Sequence, residues 1–113
     1  MFVEDEQLAA FAPWLDAQFR ARCAEALGTR GQWSDERVRR AVDTGLQRAA
    51  ALGLSEERSV LAYLLLATDI ALARPEDAVV RAVEGILSEP ALPEWQRVRL
   101  GEDYFRQFRE ARS

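Results

Sequence analysis

The sequence predicts an all-α fold, a compact bundle of about five helices in a single domain over residues 1–113. Three observations predict it. Apolar residues recur at helical spacing in successive segments, with none of the strict alternation or β-branched runs that mark strands. Capping and breaking residues fall where those periods change, so local and global signals agree. A chain of this length also buries roughly 65% of the surface its unfolded form exposes, which sustains a core without cross-links.

The first helix is expected from Glu6 to Leu27, with Leu8, Leu15, Phe19, Cys23 and Ala26 on one narrow face and Phe11 at its edge. Pro13 must kink it or mark a fresh start, because the ring removes a donor and crowds the preceding turn. Gly28 and Gly31 then supply a stop and a loop. Ser34 is a good N-cap for the second helix, and Asp35 and Glu36 complement its dipole. Val38, Val42, Gly45, Ala49 and Leu52 form the apolar stripe, and Gly45, lacking a side chain, invites close approach of a neighbouring helix. Gly53 is the natural left-handed stop.

Ser55 is placed to cap the third helix, followed by Glu56 and Glu57. From Val60 to Ala73 this segment is apolar around nearly its whole circumference, so the helix at about 55–73 is read as the central one. Arg74-Pro75 ends it, and Pro75 suits the first turn of a fourth helix running to about Ser88, with Val79, Val80, Val83, Ile86 and Leu87 inward. Pro90 and Pro93 bracket a short turn. The fifth helix begins at Pro93-Glu94, and its best inward face is Val98, Gly101, Phe105 and Phe108. At about 100° per residue Trp95 falls on one flank of that face, and Leu100 and Tyr104 fall on the other. One packing stripe cannot bury all of them.

Composition narrows the function. The chain has no His and no Lys, and all fifteen basic residues are Arg. Imidazole bases, Ser-His-Asp or Cys-His pairs and Glu-x-x-His ligand sets are therefore excluded, as are Schiff-base and P-loop lysines. No catalytic residue, no metal ligand set and no cofactor is expected. A net charge of −4 gives no general attraction to nucleic acid or anionic lipid. The longest apolar run, residues 60–73, falls short of the ~20 residues that span a bilayer. Cys23 is the single cysteine, and the first residues carry Glu4, Asp5 and Glu6 where a signal peptide needs positive charge, so a cytoplasmic protein is expected. Cys23 itself reads as a small core residue.

The remaining chemistry is that of binding. Trp95, Leu100 and Tyr104, with Arg97 and Arg99 beside them, are candidates for a protein-docking surface, because aromatic residues and arginine dominate interface energies. Trp14 points away from its own apolar stripe and is a further candidate. Asp69, set among Leu65, Leu66, Ile70 and Leu72, is either structural, paired with a group such as an arginine from another helix or on a partly solvated face, or a polar anchor at an interface. Residues 49–56, Ala-Ala-Ala-Leu-Gly-Leu-Ser-Glu, also have the form of a helix-turn-helix bend. The would-be reading helix, however, opens with Glu56-Glu57 and continues apolar, where phosphate and base contacts need the opposite.

The run Leu52-Gly53-Leu54-Ser55-Glu56-Glu57-Arg58, an aromatic-containing helix with an internal Asp69, then Ile86-Leu87-Ser88-Glu89-Pro90-Ala91-Leu92-Pro93 and a closing aromatic helix form an ordered set. Across about Phe19 to Phe108 it resembles small helical accessory, co-chaperone-like proteins encoded beside spike, PAAR and toxin genes in bacterial type VI secretion effector loci. The resemblance implies a non-catalytic factor that binds an adaptor chaperone, or its effector, and controls loading of that effector. It supplies no catalytic residues. Alternatives are an immunity protein that binds and blocks a cognate toxin, and a helix-turn-helix regulator.

Overall fold

Cap geometry and packing set the five helices seen in the computed structural model, which describes residues 17–112. They are α1 (Ala17–Gly31), α2 (Asp35–Ala51), α3 (Glu57–Ala73), α4 (Asp77–Leu87) and α5 (Glu94–Arg112). Among the described residues there is no strand. The expected segment from Glu6 through Pro13 and Leu15, together with Trp14, lies outside the described residues.

Helix α1 does not stop at Gly28. It continues to Gly31, and Gln32 takes the left-handed conformation with φ 54°. Gly28 lies beside Val38 without being required there: a Cβ would meet Val38 Cγ2 at an ordinary 3.8 Å. Ser34 caps α2 as expected, its Oγ accepting from the Arg37 amide at 3.3 Å. At the other end Gly53, with φ 81°, closes a Schellman motif. The Leu54 amide donates to Ala49 O at 2.9 Å and the Gly53 amide to Ala50 O at 3.0 Å, while Leu54 and Ala49 are both fully buried beneath the turn.

The start of α3 departs from expectation. Ser55 is not its cap; Glu56 holds the cap position and makes no capping bond of its own. The cap comes from Glu94 at the start of α5, whose carboxylate accepts from the Ser55 amide (2.7 Å), the Ser55 hydroxyl (2.8 Å) and the Glu56 amide (3.0 Å). One carboxylate thus serves the positive ends of two helices. Arg74 ends α3 in the left-handed region (φ 49°), its amide donating to Ile70 O, and α4 begins at Asp77 behind Pro75 and Glu76.

Helices α1, α3 and α5 run in the same direction, and α2 and α4 return between them. Arg22 reaches Glu57 and Arg30 reaches Asp69, which fixes α1 beside α3. An Arg20–Asp43 pair ties α1 to α2. Helix α3 packs on α1, α2 and α5, so it is the central helix, whereas α4 packs chiefly on α5. Gly45 lies where α2 crosses α3 against Leu64, and Gly101 lies where α5 meets Leu66 and Leu87. One buried cluster draws on all five helices, with Phe19 and Phe105 its largest fully buried members.

Candidate functional site

Helix α4 leans on α5 more than on α3, and this leaves a cleft between α2 and α4. The cleft encloses about 590 Å³. Tyr63, Leu66, Ala67 and Ile70 of α3 form its floor, Arg48, Ala51 and Leu52 one wall, and Val80, Val83, Glu84 and Leu87 the other. A second hollow of about 450 Å³ continues along α2 toward Trp33, sharing Arg48, Tyr63, Ala67 and Ala71 with the first. Together they make an open groove along α2 from Arg37 to Leu52, about 22 Å at 1.5 Å per residue.

Three arginines follow the α2 wall, Arg37, Arg40 and Arg48, all exposed. Arg37 lies over the Trp33 ring, 4.3 Å from its centroid. The ion pairs of the described residues use Arg20, Arg22, Arg30 and Arg106, and none of the three on the groove. Glu84 is the carboxylate on the facing wall. Burial pushes the Tyr63 phenol above its ordinary pKa, Arg48 acting against that shift and Glu84 with it.

On α5, Trp95 is 54% exposed, Leu100 39% and Tyr104 37%, so the inward face does leave them over. Leu100 and Tyr104 share a flank, but Trp95 lies roughly 140–180° around the helix from them, and no flat partner covers both sides at once. Arg99 is exposed beside them. Arg97 turns inward: its Nη1 donates to Leu52 O at 2.9 Å and Leu87 O at 3.1 Å, tying the ends of α2 and α4 to α5. Asp69 is held by Arg30, whose Nη1 donates to both carboxylate oxygens at 2.8 and 2.7 Å. That pair lies on the α1 side of α3, with Glu102, Arg106 and Arg109 lining the same hollow, away from the groove. Partial burial raises the Glu102 carboxyl above its ordinary pKa, against the pull of Arg106 and with a push from Asp103.

Cys23 is completely buried in the core, and burial drives its thiol up to about 11, so it is unreactive at neutral pH. Among the described residues no group of three or more His, Cys, Asp or Glu is placed to hold a metal ion. None of their helices is long and apolar enough to cross a membrane.

The groove was not anticipated from the sequence, although a signal exists. Arg37, Arg40, Thr44 and Arg48 recur at steps of three and four, a polar stripe on the side of α2 away from Val38 and Val42. What the period cannot give is that α4 stands apart to open the floor. No protein-family model, curated protein or solved structure matches the chain. The fold and groove thus define an all-α helical domain with an open apolar cleft.

Proposed function

We propose that this chain is a non-catalytic protein-binding accessory factor of a bacterial type VI secretion effector locus, acting like a co-chaperone on an adaptor chaperone or its effector. The observation that carries the binding role is the groove left open among the described residues, where half-buried Ala67 and Ile70 lie at the surface and Tyr63 and Leu66 are buried beneath them. The secretion setting rests on the resemblance of residues 52–58 and 86–93. The absence of His and Lys removes imidazole and amine acids, bases and nucleophiles, leaving carboxylates, hydroxyls and one thiol, and this favours binding over catalysis. Helix α3, packed on three neighbours, has little free face to enter a DNA groove, which disfavours the regulator reading.

The test is binding of the purified chain to the adaptor, effector and toxin proteins encoded beside it, followed by function. A co-chaperone binds the adaptor and changes effector stability or secretion. An immunity protein instead rescues cells that express the toxin alone. Binding only to promoter DNA, with affinity falling steeply as salt rises, would overturn the proposal.

A further inference from the structure

We infer that the α2–α3–α4 groove receives one amphipathic helix of a partner protein, an apolar stripe on the α3 floor and carboxylates along the flank that faces α2. This rests on the protein-binding role proposed above and adds the place and the chemistry of the partner. The shape comes first. Among the described residues the groove is open to solvent and about as long as four helical turns on its α2 wall, and its floor on α3 presents Ala67, Ile70 and Ala71 above the buried Tyr63 and Leu66. An elongated apolar trough of this kind fits the i, i+3/i+4, i+7 anchors of an amphipathic helix.

Charge decides the partner's sign. The whole chain carries −4, yet Arg37, Arg40 and Arg48 stand in a row on the α2 wall and enter none of the described ion pairs. Arg39, Arg58, Arg74, Arg81 and Arg99 also enter none of the described ion pairs, so what sets the groove apart is that three guanidinium groups line one wall of one apolar hollow. The α4 wall bears Glu84 and not a second arginine row. A docked helix is therefore oriented, its acidic flank toward α2 and a neutral or basic flank toward α4. Guanidinium groups at the edge of an apolar floor gain strength as docking removes water.

The test uses the full-length protein and two stapled helical peptides of about fifteen residues with the same leucine stripe, one carrying glutamates along one flank and its twin carrying arginines there. Fluorescence anisotropy at low salt should show the glutamate peptide binding more tightly by about tenfold. Arg40→Glu with Arg48→Glu, both at exposed positions, should reverse that order while circular dichroism and melting stay as in the wild type. Ala71→Trp, also exposed and shared by both halves of the groove, should abolish binding of the glutamate peptide. Equal affinity of the two peptides, or an order indifferent to charge reversal, overturns the inference. So does tighter binding by the double variant Phe11→Asp/Trp14→Asp, which would assign the groove to the chain's own first residues. If a neighbouring gene product binds the Ala71→Trp and charge-reversed proteins at wild-type strength, the groove assignment fails while the protein-binding role stands; if no neighbouring product binds at all, it is that role that fails.

Discussion

Replacing Gly45 with alanine should destabilise this protein even though alanine is the better helix former. Gly45 is buried where α2 crosses α3, and a Cβ built on it falls well inside contact distance of Leu64 Cδ2. Leu64 is 1% exposed and cannot swing away without disturbing its neighbours. Overpacking of this kind costs about 1–3 kcal/mol, against a gain of about 1 kcal/mol in helix propensity. The net expectation is a loss of up to about 2 kcal/mol, at about 4–8 °C of Tm for each kcal/mol in a chain of this size. Gly85→Ala is the internal control: it lies on exposed α4 with nothing within 4 Å of a new Cβ, so it should gain about 0.5–1 kcal/mol. Thermal and urea unfolding of both variants, with Gly45→Ala repeated in a Leu64→Ala background, separates the terms. Truncating Leu64 removes the clash, and the penalty of Gly45→Ala should largely vanish there. A Gly45→Ala protein that melts at or above the wild type would refute the packing explanation.

Four further outcomes follow from the described contacts. Glu94→Ala removes the cap on α3 and should cost about 1–2 kcal/mol in urea unfolding. Partial burial raises the Glu94 carboxyl, but its bonds to Glu56 and Ser55 and the Arg97 charge outweigh this and hold it below its ordinary pKa near 4.5. A lowered folded pKa stabilises above about pH 4.5 and is lost as pH falls through the folded value, so acid unfolding curves of wild type and Glu94→Gln should converge below that point. Glu102 has the opposite sign, so Glu102→Gln should stabilise at neutral pH, with the advantage gone below about pH 4.5. Arg97→Ala leaves the carbonyls of Leu52 and Leu87 without their donor and should cost about 1–3 kcal/mol, measured by the same unfolding curves.

What was legible in the sequence was what depends on neighbours along the chain. The Gly53 stop, the Ser34 cap and the apolar circumference of α3 each follow from a few consecutive residues, and each recurs in the fold. The close approach at Gly45 was legible for the same reason: a glycine within an apolar stripe marks a crossing. Contacts between distant residues were not. Ser55 has the local form of a cap, yet Glu94, 39 residues further on, performs that task because α5 begins beside α3. Gly28 has the form of a stop, yet α1 runs on through it to Gly31 and the left-handed turn falls at Gln32. On α5 the periodicity identified residues left over by the core, and it could not foresee that Arg97 would be drawn inward to two helix-end carbonyls. The groove was hardest to read, since it depends on the space between α2 and α4 and no single segment encodes it.

Whether a partner docks in that groove is decided by methyl NMR of the full-length protein with a bound neighbouring gene product. Shifts should concentrate on Ala67, Ile70, Ala71, Val80 and Val83, which line the groove, and leave Leu100 on the far flank of α5 unmoved. Shifts confined to Leu100 and its surroundings, with the groove methyls unchanged, would contradict docking there.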